Sequence, residues 1–303
     1  MNDKTFVIAG TTGNTGRLVT EQLLAQGHTV RAISRSADKL QQITGVEAHI
    51  GQLDDADFLT GVLNGADGFY TLLPYNYGAP DLFANQMAMI HANEKAIRAS
   101  GVNRVVALSS YGTHIPSEGG VLDGLREFEQ MLSQTEAQVT VLRAGFFFQN
   151  FLGMVGTVHQ HGILAGYPIR ADIPMPMVDT ADIAQVAVEE LLRAEAESFN
   201  SREVAGPALH TLQEAASILG SAIGKPDLTW VQFPYEDAKA AMQGYGFSES
   251  VAQGFIDFAK RANDLSIWGQ VVLTDHNRTT TSLENFASQF VNAYESTGEM
   301  QNV

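Results

Sequence analysis

The chain has no cysteine, which excludes disulfides, thiol catalysis and zinc–cysteine sites and fits a reducing compartment. It is also poor in positive charge. Eighteen lysines and arginines stand against 34 aspartates and glutamates, a net charge of −16. Such a surface repels phosphate backbones and anionic lipid, so neither nucleic acid nor membrane is expected as a partner. No apolar run reads as a bilayer span: the most apolar segment, "TVLRAGFFFQNFLGMVGTV", carries Arg143, Gln149 and Asn150 in its middle. The start, "MNDKTFVIAGTTG", has too short an apolar run for a signal peptide. The expectation is a soluble, cytoplasmic protein.

What is present suits one two-lobed unit or two small domains: 303 residues, 45% of them apolar. In the first half, "TFVIA", "TVRAIS", "VEAHI", "GFYTLL", "RVVALSS" and "QVTVLRA" read as strands. Helical patterns begin between them near Arg17, Ala37, Asp55, Leu82 and Asp123, with Gly27 and Gly101 at helix ends. Strands rich in Val, Ile and Leu that alternate with helices predict an α/β fold, a doubly wound parallel sheet of Rossmann type. Residues 1–150 are expected to form this nucleotide-binding domain, and 151–303 a mainly helical substrate-binding lobe, with a segment near 179–205 returning to the main sheet. Gly162, Gly166, Pro168, Pro174 and Pro176 punctuate a long stretch read as irregular. Order returns at "DTADIAQVAVEELL", started by Asp179 or Thr180, and at the Thr211–Glu214 capping box. Further helical runs follow Pro234.

The strongest motif is "VIAGTTGNTGR". Gly10, Gly13 and Gly16 follow a strand and open a helix, as a tight turn, a close approach to pyrophosphate and close helix–strand packing require. The helix start adds unpaired N–H groups and partial positive charge for the anion. At the end of the second strand, "VRAISRSADK" puts Arg35 where a dinucleotide's ribose is read, with Lys39 one turn on and no carboxylate before Asp38. A cation there suits a 2′-phosphate, so NADP(H) is favoured and NAD(H) is the alternative.

"GTTGNTGR", "VRAISRSADKL", "GQLDDADFL", "GVNRVVALSS" and "EFEQMLSQTEAQVTVLRAGFFFQNFL" together resemble the NmrA-like branch of the atypical short-chain dehydrogenases. The likeness continues through "DTADIA" and "TLQEAASILGSAIGKP" and so covers most of the chain. Within the branch the pattern is similar to type 2 NAD(P)H:quinone oxidoreductases and to triphenylmethane or azo-dye reductases. The resemblance implies that Thr11, Thr12, Asn14 and Thr15 line the phosphates, and that Leu53 and Asp54 flank the adenine. It implies further that Leu72, Leu73 and Pro74 run beside the nicotinamide ribose, and that Gly145, Phe146 and Asn150 close over the nicotinamide.

Ordinary short-chain dehydrogenases carry a serine at the end of the fifth strand and a Tyr-x-x-x-Lys pair in the next helix. Here Ser109 or Ser110 fits the serine, but "DGLREFEQML" holds neither tyrosine nor lysine. Leu125 stands where the branch's occasional lysine aligns, and the adjacent Arg126 cannot trade a proton at neutral pH. A Tyr-x-x-x-Lys pair does occur at Tyr235 and Lys239, but after Pro234, outside its proper context. It is read as the start of a surface helix with a solvated lysine. Tyr111 and His114 after the fifth strand, and Tyr75 after the fourth, are the remaining proton-donor candidates. Tyr75, Tyr77, Tyr111, Phe146 and Asn150 are candidate substrate contacts. The aromatics of "GYGFSES" and "GFIDF" are assigned to the core of the small lobe. His159 and His161 diverge on a helix and lack a third ligand, so no metal is expected.

Together the residues and the resemblance predict an NADPH-dependent oxidoreductase that passes hydride directly, without flavin, to a small aromatic or quinone-like acceptor. Reduction of a quinone leaves a phenolate-like oxygen of pKa near ~10, which water can protonate, so the missing pair is tolerable. Two alternatives remain open: a non-catalytic redox sensor of the NmrA regulator type acting through a protein partner, and reduction of an imine or enone. A homodimer is an open alternative to a monomer.

Overall fold

In the first half, strands of apolar and β-branched residues alternate with helices, several of whose starts are set by their caps. The structure, a computed structural model, describes residues 3–115, 120–268 and 271–301. The strands are β1 (Thr5–Ile8), β2 (Thr29–Ser34), β3 (Glu47–Ile50), β4 (Gly68–Thr71), β5 (Arg104–Ser110), β6 (Gln138–Ala144), β7 (Phe146–Phe147), β8 (Met175–Val178), β9 (Phe199–Val204) and β10 (Leu209–His210). The helices are α1 (Asn14–Ala25), α2 (Ala37–Gln41), α3 (Ala56–Leu63), α4 (Leu82–Ser100), α5 (Asp123–Ser133) and α6 (Val155–His161). They continue with α7 (Thr180–Leu192), α8 (Leu212–Ala222), α9 (Tyr235–Gly244), α10 (Glu249–Asn263) and α11 (Leu283–Gln301), and a 3₁₀ helix spans Phe148–Met154.

Asp55, Asp81, Asp179 and Ser248 accept first-turn amides of α3, α4, α7 and α10, and Thr211 with Glu214 closes a reciprocal box on α8. The first helix begins at Asn14, three residues before its expected start near Arg17; its N-cap is Gly13, so no capping side chain announces the start.

Seven parallel strands form the main sheet in the order β3-β2-β1-β4-β5-β6-β9. Side chains alternate between its faces. Val7, Phe69, Val105 and Val139 pack towards α3, α4 and α5, while Phe6, Ile8, Tyr70 and Leu142 pack towards α1 and α7. The chain turns one way from β1 to build β2 and β3 and the other way from β4, so a crevice opens at the carboxyl ends of β1 and β4. The fold is therefore the expected α/β architecture, with helices dominating the carboxyl-terminal region.

One segment departs from expectation. The proline-punctuated stretch contains β8, the centre of a small sheet ordered β10-β8-β7. Pro176 sits inside it opposite Leu209, tolerated because the pairings run over only two residues on either side.

Candidate active site

The turn after β1 is built on three glycines with separate tasks. Gly10 adopts φ +67°, a left-handed conformation that disfavours other residues, and its carbonyl accepts the Gly13 amide at 2.9 Å. A Cβ on Gly16 would lie 2.4 Å from the Gly10 carbonyl oxygen, so only glycine lets α1 sit this close to the turn. No side chain caps α1, and its first amides face the crevice as anion donors.

A cleft of about 470 Å³ opens over this turn. Gly10, Thr12, Gly13, Asn14 and Thr15 form one end, Arg35 and Lys39 lie beyond β2, Leu53 and Asp54 beyond β3, and Leu72 and Pro74 beyond β4. Two of the expected contacts lie beneath the wall instead. Thr11 is fully buried and its hydroxyl donates to the Ile33 carbonyl at 2.8 Å, tying the turn to β2, and Gly16 is the packing glycine. Thr15 is shared: it lines the cleft, and its hydroxyl accepts from Tyr70 at 3.0 Å. Arg35 and Lys39 are exposed, and among the described residues neither side-chain cation has a hydrogen-bond or ion-pair partner.

A second cleft of about 350 Å³ continues from the first, sharing Asn14, Leu72, Pro74, Leu108 and Phe147 with it. Leu73, Tyr75, Tyr77, Ser109, Tyr111, Gly145, Phe146 and Asn150, all singled out from sequence, lie along it. The close approach of Gly145 to β8, where a Cβ would meet the Pro176 carbonyl oxygen at 2.5 Å, seats the Phe146 segment. Gln149 locks the following 3₁₀ helix by donating to Asp179 and accepting the Thr180 amide.

The opposite wall was not foreseen. Tyr167, Phe255, Phe258 and Trp268 line this cleft, so the aromatics of "GFIDF" are wall as well as core. Phe146 meets the Tyr167 ring edge-on at 5.7 Å, Phe255 lies 5.3 Å from Tyr75, and Phe258 is edge-on to Trp268 at 5.8 Å. In "GYGFSES", Phe247 covers Tyr77 at 4.4 Å, whereas Tyr245 is 86% exposed and belongs to no core. Two hydrogen bonds hold the segment from Tyr77 to Leu82 to the start of α10: the Ser248 amide donates to the Tyr77 carbonyl, and the Leu82 amide to the Ser250 hydroxyl. Among the described residues, none that lines the cleft is charged.

The proton-donor candidates fare unequally. The Tyr111 hydroxyl donates to Glu203 at 2.6 Å, and burial together with that carboxylate pushes its pKa up, so it is a structural phenol held by β9. His114 is exposed and lines neither cleft; with Ile115 and Leu265 it lines another hollow on the far side of Tyr111. Ser109 donates at 2.5 Å to the buried Glu129, which also accepts from Thr113 and Arg143; its hydroxyl is therefore turned into the α5 interface. Tyr75 remains in the cleft with a long 3.4 Å contact to the Val121 carbonyl, and burial pushes its pKa up. Leu125, where a catalytic lysine would align, is an apolar part of the wall.

Tyr235 and Lys239 stand outside both clefts. Tyr235 accepts from Asn263 at 2.8 Å. Lys239 is not solvated as expected: its side chain is 17% exposed and its ammonium donates to Glu249 at 2.5 Å and Gln253 at 2.8 Å. Pairing α9 to α10 accounts for its burial. His159 stacks on Tyr294 at 3.9 Å and contacts that residue's carbonyl at 2.7 Å, which gives it a packing role.

No described helix is long and apolar enough to cross a membrane. The model of the NmrA-like family matches residues 2–287. Quinone oxidoreductase 2 of Escherichia coli (strain K12) is 28% identical over 257 residues, which cover 83% of this chain and 86% of that protein. The Escherichia coli NADPH-dependent quinone oxidoreductase solved with NADPH superposes at a TM-score of 0.75 and 24% identity, covering 94% of this chain and 99% of that one. The Citrobacter sp. triphenylmethane reductase complexed with NADP(H) gives a TM-score of 0.75 at 19% identity, with coverages of 94% and 99%.

Proposed function

The chain belongs to the NmrA-like family, and from that premise we propose that it is an NADPH-dependent reductase passing hydride directly to a quinone or dye-type acceptor. The observation that carries this reading is the pair of clefts sharing one wall: one built on a glycine turn and lined by cations unpaired among the described residues, the other aromatic and, among those residues, uncharged.

The first cleft fits a dinucleotide on its own geometry. The Gly10–Gly16 turn leaves room that a Cβ would fill, the uncapped α1 amides suit a pyrophosphate, and Arg35 with Lys39 suits a 2′-phosphate. When bound, NADPH supplies the hydride. The chain's own task is to hold the acceptor within about 3–3.5 Å of the reacting carbon and to exclude water there, which Leu72, Phe146, Phe147 and the aromatic wall suit. No tyrosine–lysine acid is needed when the product oxygen resembles a phenolate of pKa near ~10. A regulator that only senses nucleotide would need the first cleft and has no use for an aromatic one beside it.

The test is oxidation of NADPH and of NADH by purified protein across a panel of quinones and azo dyes. Turnover with NADPH preferred is the expected result; binding of both nucleotides without turnover on any acceptor contradicts the reading.

A further inference from the structure

In the acceptor cleft, one phenol is left over. Tyr111 is held by Glu203, Tyr75 reaches the Val121 carbonyl, and Tyr77 stands at the open rim, 49% exposed. Tyr167 lines the same cleft, is half-buried, and among the described residues its hydroxyl has no hydrogen-bond partner. Its ring is fixed by Phe146 at 5.7 Å and Phe255 at 6.3 Å, so the phenol stands on a rigid aromatic support rather than on a loose loop. Among the described residues no charged side chain lines the cleft, so to negative charge that develops on an acceptor the described chain offers only neutral donors.

We infer that Tyr167 is a catalytic residue of this cleft, its hydroxyl donating a hydrogen bond to the acceptor oxygen that becomes negative as hydride arrives. The inference rests on the reading of the second cleft as an acceptor site. A quinone takes two electrons and one hydrogen nucleus from the reduced nicotinamide, which leaves as oxidised cofactor; the product is a hydroquinone monoanion. Its charge sits on the oxygen that did not receive the hydrogen, and a proton from water completes the hydroquinone. Tyr167 stabilises that oxygen without losing its own proton. Burial first, and then the neighbouring Tyr77, push its phenol up to about 12, above the ~10 of a phenolate-like product, so transfer from tyrosine to product runs uphill. The donor acts like an oxyanion-hole group, most effective where water is excluded.

This role separates two acceptor chemistries. Hydride delivered to a triarylmethyl cation forms a C–H bond at the central carbon and yields a neutral product, with no oxyanion to stabilise. Tyr167→Phe removes the hydroxyl while keeping the ring contacts to Phe146 and Phe255. Steady-state and single-turnover rates would be measured for wild type and variant with NADPH, using a benzoquinone and a cationic triarylmethane dye. The expected result is a fall of about ten- to a hundredfold in quinone turnover, dye turnover within about twofold, and an unchanged pH profile with quinone between pH 6 and 9. Equal losses on both acceptors would make Tyr167 a packing residue and overturn the inference, as would no loss on either. A wild type inert towards both acceptors would instead overturn the proposed function, and the inference with it.

Discussion

The two ends of the main sheet treat charge in opposite ways. At the amino-terminal end, Arg104 at the start of β5 donates to the carbonyl and carboxylate of Glu190 at the end of α7. Arg193 and Arg202 join the same carboxylate at 2.5 and 3.1 Å, and Thr140 contacts it at 3.3 Å. Arg104 and Glu190 side chains are 6% and 1% exposed. At the carboxyl-terminal end, among the described residues, Arg35 and Lys39 face an open cleft with no protein partner, and no charged side chain lines the adjoining cleft. Charge paired inside the chain fastens β5, β6, β9 and α7 together; charge left unpaired at the crevice edge is available to a ligand.

That contrast can be broken most forcefully at Glu190. Glu190→Ala leaves Arg104 buried beside no carboxylate, and unfolding in urea should show a loss of about 3–5 kcal/mol. A loss under about 1 kcal/mol would mean that the cluster relaxes into solvent. At the other end, Gly16→Ala forces a methyl against the Gly10 carbonyl. It should cost about 1–3 kcal/mol of stability and weaken nucleotide binding, because the strain falls on the turn itself. Wild-type affinity measured by calorimetry would show that the turn can shift freely.

Arg35→Ala sharpens the comparison, since the same residue type should now matter to binding and not to folding. A charge-assisted contact is worth roughly 1.5–3 kcal/mol, so NADPH affinity should fall about ten- to a hundredfold while NADH affinity and urea stability stay nearly constant. Equal losses for both nucleotides would remove Arg35 from the 2′-phosphate. The smallest effects are expected at Tyr235→Phe and Lys239→Ala. Lys239 pairs with Glu249, whose side chain is 68% exposed, which limits the pair to about 1 kcal/mol or less, and kcat should change under about threefold. A hundredfold fall in kcat with folding intact would restore the pair as an acid.

Sequence alone carried the parallel sheet because most of its strands are short and apolar and several lead into a capped helix, as at Asp55 and Asp81. It also carried the placement of the glycine turn and Arg35 at the crevice, since both follow directly from strand ends. The far wall was illegible for a physical reason. Phe255 and Phe258 fall on the same apolar face of α10 as the buried Val251, Ala259 and Ala262, and periodicity cannot separate a side chain that fills a core from one that lines a cleft. Tyr167 lies in a glycine- and proline-rich stretch with no periodicity to place it. Tyr111 and Lys239 misled because the partners that claim them, Glu203 and Glu249, depend on tertiary contacts or on the α9–α10 turn.

The central claim is direct hydride passage across the wall shared by the two clefts. Its most direct test is single-turnover oxidation of NADPH carrying deuterium at the transferred position, with a small quinone in excess. Hydroquinone hydroxyls exchange with water, so the rate is the readout. The account predicts that deuterium slows the single turnover and that no flavin is required. Failure of any quinone or dye to consume NADPH, alongside tight binding that strongly distinguishes oxidised from reduced nucleotide, would contradict it.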